Sequence, residues 1–165
     1  LLNLPPDRRG LIHENDANRM GEFRSALDAT FKHNFALHAK VQASEIRDNN
    51  PIWAPEKVVD VNKDTYWTTN DGTTSALLEF DLGQPQTFNR AMLQEYNRLG
   101  QRIEEFTLEA WDGQNWQGFA RAATVGYKRL LRFDLITTTK VRLGIVHSRL
   151  CPTLSNFGLF LENPE

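Results

Sequence analysis

Ala76-Leu77-Leu78-Glu79-Phe80-Asp81-Leu82 decides the class of fold. Its apolar residues Ala76, Leu78, Phe80 and Leu82 alternate with Leu77, Glu79 and Asp81, and a period of two is the mark of a strand with one buried face. Working outward, the same alternation returns at Phe106, Leu108 and Ala110, set against Thr107, Glu109 and Trp111. It returns again at Leu131, Phe133 and Leu135, at Val141, Leu143 and Ile145, and at Phe157, Leu159 and Leu161. Asn70-Asp71-Gly72, Asp112-Gly113, Gly126 and Pro152 punctuate these runs, and no helical crossover lies between them, which predicts antiparallel pairing. Asp112-Gly113 between two aromatic-bearing strands is a hairpin signal. About eight short strands predict an all-β fold, an antiparallel β-sandwich or jelly roll.

Upstream of Ala36 the period changes. Pro5-Pro6 stops any earlier helix, and Asn15 or Asp16 offers a cap for a helix running to about His33. Met20, Phe23, Leu27 and Phe31 form an apolar stripe, with Asn18, Arg19, Glu22, Arg24, Ser25 and Asp28 on the opposite face. Such an amphipathic helix needs a partner, because a lone one is unstable in water. Two partners are open: the core of its own domain or a neighbouring domain. The boundary therefore falls near residue 34, giving a helical region 1–33 and a sandwich 34–165.

Composition narrows the function. Among 165 residues, 19 Lys and Arg stand against 21 Asp and Glu, a net charge of −2, which argues against a nucleic-acid binder. No apolar run approaches the roughly 20 residues of a membrane span. Cys151 is the single cysteine, so no internal disulfide forms, and either redox compartment is compatible with it. The chain opens on Leu1-Leu2-Asn3-Leu4, with no initiator Met, basic region or signal-like stretch, and reads as the interior of something longer.

Catalytic motifs are missing: there is no G-x-S-x-G, no phosphate-binding loop, no H-E-x-x-H, and the four histidines are scattered. Glu104 and Glu105 are neighbours on a strand, point to opposite faces and read as solvated surface. Between Ala120 and Cys151 seven basic residues face only Asp134, which is either a basic docking face or the outward side of alternating strands. Asp60, Asn62 and Thr65 place oxygens at close spacing in one turn, a pattern that serves either Ca²⁺ or a metal-free Asx turn. Three presumptive loops gather aromatic, Arg, Asn and His side chains: Arg47, Asn49, Asn50 and Trp53; Tyr96, Asn97, Arg98 and Arg102; His147, Ser148 and Arg149. Aromatic faces beside Arg and Asn forks suit a sugar, which offers an apolar C–H face ringed by hydroxyls. Packing offers the other reading, under which Trp53, Trp67 and Trp116 point inward.

Leu1-Leu2-Asn3-Leu4-Pro5-Pro6-Asp7-Arg8-Arg9-Gly10-Leu11-Ile12-His13 resembles the end of the catalytic (β/α)₈ barrel of glycoside hydrolase family 29 α-L-fucosidases. Residues 34–162 resemble the sandwich that follows it in many of those enzymes, of the coagulation factor V/VIII type C (discoidin) class and similar to carbohydrate-binding module family 32, a galactose-binding-like fold. Leu93-Gln94-Glu95-Tyr96, Gly100-Gln101-Arg102-Ile103 and Gly126-Tyr127-Lys128-Arg129 carry that resemblance into the loops. It implies that the catalytic carboxylates lie upstream in the barrel, so no catalytic residue is expected in this chain. A bacterial, periplasmic or secreted setting is likewise only what the family implies. The implied role is a non-catalytic domain that helps the parent enzyme hold a glycan at Trp53, Tyr96, Asn97, Arg102, His147 and Arg149. The alternative is a structural domain that packs on its own catalytic barrel without binding sugar. Family 32 modules hold a structural Ca²⁺ in an Asp-Gly-Asn/Asp-x-x-Thr turn with a Glu in the last strand; here Val61 replaces the Gly, and Asn156 or Gly158 stands at the place of the Glu. Ca²⁺ at Asp60, Asn62 and Thr65 is accordingly expected to be weak. No other cofactor is implied. An exposed apolar face around Phe23, Leu27 and Phe31 is expected of the structural role, and a solvent-facing aromatic beside Arg102 or His147 of the sugar-binding one.

Overall fold

The computed structural model describes residues 4–162. Leu1 to Asn3, part of the barrel-like stretch, and Asn163 to Glu165 of the sandwich region lie outside the described residues. Helix α1 (Glu14–Thr30) is followed by strands β1 (Lys40–Ala43), β2 (Trp67–Thr68), β3 (Ala76–Glu95), β4 (Ile103–Trp111), β5 (Trp116–Ala122), β6 (Arg129–Ser148) and β7 (Thr153–Phe160). Every pairing is antiparallel, in the order β2-β7-β3-β6-β4-β5, with β1 added against β3. Among the described residues there are seven strands where about eight were expected, and the runs at 131–135 and 141–145 are two halves of one strand, β6.

Both 20-residue strands, β3 and β6, change register between Asp81 and Gln86 of β3. The first half of β3 pairs with β1 and the end of β6; its second half pairs with β7 and the start of β6. Crossing between layers in this way lets one hydrogen-bonded path form a sandwich, because a bulge bends a strand without ending it. The core lies between the layers, where the Phe80 and Phe157 rings stack at 4.1 Å. Leu78, Phe80, Phe106, Leu108, Leu143, Phe157 and Leu159 are fully buried, as the period-two reading requires, and so are Trp67 and Phe88, which lie outside its runs. Leu82, Leu131, Phe133 and Leu161 are only half-buried, and Leu135 is 62% exposed, because the β3–β6 register shifts beside it and turns its position outward.

The helix departs from expectation at both ends. His13 provides the cap in place of Asn15 or Asp16, its Nδ1 accepting from the Asn15 amide at 3.2 Å, and the helix stops at Thr30. Only Thr30 among its residues is buried. Met20, Phe23 and Leu27 stay 42%, 52% and 37% exposed, so most of the stripe does not cover the sandwich core. Just past the helix, Phe31 meets Phe160 edge-on at 4.9 Å. Gly158 makes room for that contact: a Cβ there would meet the Phe160 ring at 2.6 Å. Asn34 then ties the chain to the last strand, its Oδ1 accepting from the Leu159 and Ala36 amides, each at 3.0 Å.

The basic run is partly neutralised across strands. Arg142 donates to Glu79 at 2.6 Å and lies 4.1 Å from the Trp116 ring, Arg121 donates to Glu105, and Arg149 to Glu104. Arg121 and Arg142 stand on β5 and β6, as outward positions of alternating strands do, and Arg149 directly follows β6. Trp67 is buried as expected, whereas Trp53 and Trp116 are half-buried.

Candidate functional site

Three rings from three separate segments meet at one end of the sandwich. Trp53 closes a short 3₁₀ turn at Pro51–Trp53, which Asn50 caps by accepting the Ile52 amide at 3.0 Å. Tyr66 directly precedes β2, and Tyr96 directly follows β3. Tyr66 stacks on Tyr96 at 4.2 Å and 17°, and Trp53 leans on Tyr66 at 4.8 Å. Arg98 extends the row, with its guanidinium 5.8 Å from the Tyr96 ring and 2.7 Å from Asp64. All three rings are half-buried, and Asn97 is exposed in the turn after Tyr96.

Two more arginines approach this row. Arg47 donates through Nε to the Thr69 carbonyl at 3.1 Å, and through Nη2 to Asp71 and to the Cys151 sulfur. Arg102 donates through Nε to the Leu99 carbonyl and through Nη1 to the carbonyl and sulfur of Cys151, at 3.0 and 2.9 Å. Burial pushes the Tyr66 phenol up, and neighbouring Tyr96 adds to the shift; Arg47 and Arg102 oppose it.

The loops that carry these groups are pinned by two carboxylates. Glu95, only 3% exposed, accepts from the backbone amides of Arg102 and Ile103 through Oε1 and of Gly126 through Oε2, at 2.7, 2.9 and 2.6 Å. Gly126 has φ +66°, a conformation other residues resist. Glu45 accepts from the Asn70 amide and the Thr73 hydroxyl, each at 3.0 Å, and its own carbonyl accepts from the Trp67 indole at 2.9 Å. The Asn70 amide holds the Glu45 carboxyl below its usual range, with burial opposing. Carboxylates satisfied by amide donors fix backbone geometry, most strongly at buried Glu95, where leaving any of those groups unpaired is costly.

His147 and Arg149 form a different group from the aromatic row. His147 Nδ1 is 2.7 Å from Glu104, and Arg149 Nε donates to the same carboxylate at 2.6 Å. These two partners, Arg149 foremost, draw the Glu104 carboxyl down. Glu104 and Glu105, expected as solvated surface, are instead half-buried and ion-paired, because β6 brings basic residues alongside them. The link back to the row is through the main chain, where the Arg149 amide donates to the Arg102 carbonyl at 2.9 Å.

The Asp60 turn closes upon itself. Asp60 accepts from the Asn62 amide at 2.9 Å and from the Thr65 hydroxyl at 2.8 Å, and Asn62 Oδ1 accepts from the Asp64 amide at 3.0 Å. Asn156 on β7 leaves a buried Oδ1 without a partner, but an amide oxygen adds no charge. Both Asp60 oxygens are engaged within the turn, the arrangement of the metal-free Asx reading. Among the described residues no three His, Cys, Asp or Glu side chains converge for a metal. Val61 in this turn has φ +57°.

Sequence reasoning missed Tyr66, Glu45, Glu95 and the sulfur of Cys151 as parts of this end. Glu95 did carry a signal: it continues the inward series Ala91, Leu93, so an acidic residue falls where the pattern demands a buried one. Nothing in the sequence indicates that Arg47 and Arg102 converge on Cys151.

The comparisons agree with this architecture. The chain is 32% identical over 166 residues to α-L-fucosidase 1 of Arabidopsis thaliana, covering 98% of this chain and 33% of that protein. The crystal structure of SpGH29 superposes with a TM-score of 0.90 at 33% identity, over 99% of this chain and 35% of that one. The GH29 fucosidase E1_10125 of Ruminococcus gnavus, solved in complex with fucose, gives 0.89 at 31%, over 99% and 33%. The chain spans about a third of the length of the curated relatives it matches. Its homologues are thus α-L-fucosidases of glycoside hydrolase family 29, and the NedA-like galactose-binding domain of the F5/F8 type C class matches residues 57–143. Sandwich, strand pairing and matched span lead to one conclusion: the chain belongs to the NedA-like galactose-binding domain family.

Proposed function

We propose that this domain is a non-catalytic part of an α-L-fucosidase and holds glycan weakly at the Trp53-Tyr66-Tyr96 end. The observation that carries the proposal is the row of three half-buried rings, with Arg98 over Tyr96 and with Arg47 and Arg102 bonded to the loops that follow Tyr66 and Tyr96, which gathers apolar edges and polar forks at one end. Weak binding follows because the rings already cover part of one another. The test is an NMR titration of the chain with galactose, N-acetylglucosamine, fucose and a fucosylated oligosaccharide. Saturable shifts at Trp53, Tyr66 and residues 96–102 are expected, and their loss in Trp53→Ala. An absence of shifts at millimolar sugar rejects the reading. Turnover of a chromogenic fucoside by the chain alone rejects the non-catalytic assignment.

A second reading has its own observation. The exposed Phe23 and Leu27 lie on the side of α1 where Leu27, Phe31, Met92, Leu130 and Phe160 line a shallow groove. That face suits packing against the catalytic barrel of a longer chain, and it is compatible with glycan binding at the loop end.

A further inference from the structure

Arg47 and Arg102 form an arrangement that the carbohydrate reading does not use. Both guanidiniums reach one atom, the Cys151 sulfur, at 3.2 and 2.9 Å, so their charged heads stand within about 6 Å of each other. Like charges at that separation repel, and a half-buried site screens them less than open water does. The acceptors of Arg102 are neutral: two carbonyls and the sulfur. Glu95 is close in sequence space to Arg102 but gives its oxygens to three backbone amides. Asp71 is the carboxylate that Arg47 does engage; it also accepts from the Cys151 thiol at 3.5 Å, and its side chain is 87% exposed. Arg47 holds the Thr69 carbonyl, three residues beyond Tyr66, and Arg102 holds the Leu99 carbonyl, three beyond Tyr96, so the pair is anchored in the loops that carry the two stacked rings.

We infer that Arg47 and Arg102 form a subsite for an anionic group, a carboxylate or a sulfate, carried by a sugar seated against the aromatic row. A guanidinium fork matches the planar carboxylate and the sulfate oxygens, and charge-assisted bonds are roughly twice as strong as neutral ones. The inference rests on the carbohydrate reading. An incoming anion takes the place of Asp71 on Arg47, so removing the Asp71 charge strengthens binding.

The test is an NMR titration of the whole chain, at fixed ionic strength, with galactose, galacturonic acid, galactose 6-sulfate and sodium sulfate. One or both charged sugars bind about tenfold or more tighter than galactose. That advantage disappears in Arg47→Gln and Arg102→Gln, and grows several-fold in Asp71→Asn, an exposed position where folding is not at stake. The preferred charged sugar separates the carboxylate source from the sulfate source. Equal binding of neutral and charged sugars overturns this subsite and leaves the carbohydrate reading in place. Sodium sulfate binding as tightly as the sulfated sugar also overturns it, since the sugar then contributes nothing. No binding of any sugar overturns both.

Discussion

The loop end and helix α1 use apolar and charged residues in opposite ways. At the loop end, Trp53, Tyr66 and Tyr96 cover one another, and Glu45 and Glu95 hold the loops beneath them through backbone amides. On α1, Arg19 pairs with Glu22 and Arg24 with Asp28 along the helix itself, while Met20, Phe23 and Leu27 remain exposed. One region is completed by the domain's own residues. The other is completed locally in its charges but not in its apolar face. An amphipathic pattern therefore shows that a face is suited to being covered, and does not say by what.

The largest effect that sharpens this contrast is expected from Glu95→Gln. The amide nitrogen of Gln would face a backbone N–H, donor against donor, in a buried site, and a loss of about 2–4 kcal/mol is expected. Urea unfolding measures it, with faster amide exchange at residues 96–103. A change under about 0.5 kcal/mol, the ordinary range for surface substitutions, would remove Glu95 from its pinning role.

Deleting residues 1–33 attacks the other side of the comparison. The sandwich retains the Asn34 clasp and loses the Phe31–Phe160 contact, so cooperative melting should persist with a loss of about 0.5–1.5 kcal/mol. Collapse of the fold would show that the helix belongs to the sandwich core. Phe23→Ser should change stability by no more than about 0.5 kcal/mol in the full chain.

The Asp60 turn offers a gain of similar size. Val61 holds a left-handed conformation that costs a β-branched residue about 1–2 kcal/mol, and glycine relieves it at some loss of chain entropy. Val61→Gly should raise stability by about 1 kcal/mol, and neither added Ca²⁺ nor EDTA should move the melting temperature of the parent chain. A calcium-dependent rise would restore the metal reading of this turn.

The smallest effect is in the acid limb. Because the folded Glu45 carboxyl titrates below its ordinary value, its contribution is present above the unfolded carboxyl pKa of about 4.3 and is lost as pH falls through the folded value. Glu45→Gln should therefore lose less stability than the parent on acidification below about pH 5. An identical slope in both proteins would mean that the Asn70 and Thr73 bonds do not discriminate the charged form.

Much of the fold was legible because alternation is local. Leu78, Phe80, Leu108, Leu143 and Leu159 are all buried where period two places them. Leu135 was not legible, since a register shift depends on the partner strand and leaves no mark in its own neighbours. Of the candidate sugar-binding residues, Trp53 and Tyr96 come together through Tyr66 and Arg102 bonds the turn after Tyr96, whereas His147 and Arg149 turn to Glu104. Composition named the residue types suited to a glycan, but it could not say which loops meet.

The sequence by itself determined the all-β class, the helix that precedes it and the pattern of inward residues, because backbone sterics and side-chain periodicity act between neighbours a few positions apart. Only the tertiary structure decided that Tyr66 joins Trp53 and Tyr96, that Glu95 pins the loop beneath them, and that two arginines meet at Cys151. Those contacts join separate loops, from 7 positions apart for Glu95 and Arg102 to 104 for Arg47 and Cys151. They exist because the strands of the sandwich deliver their ends to one place, where burial rewards pairing and penalises any group left without it.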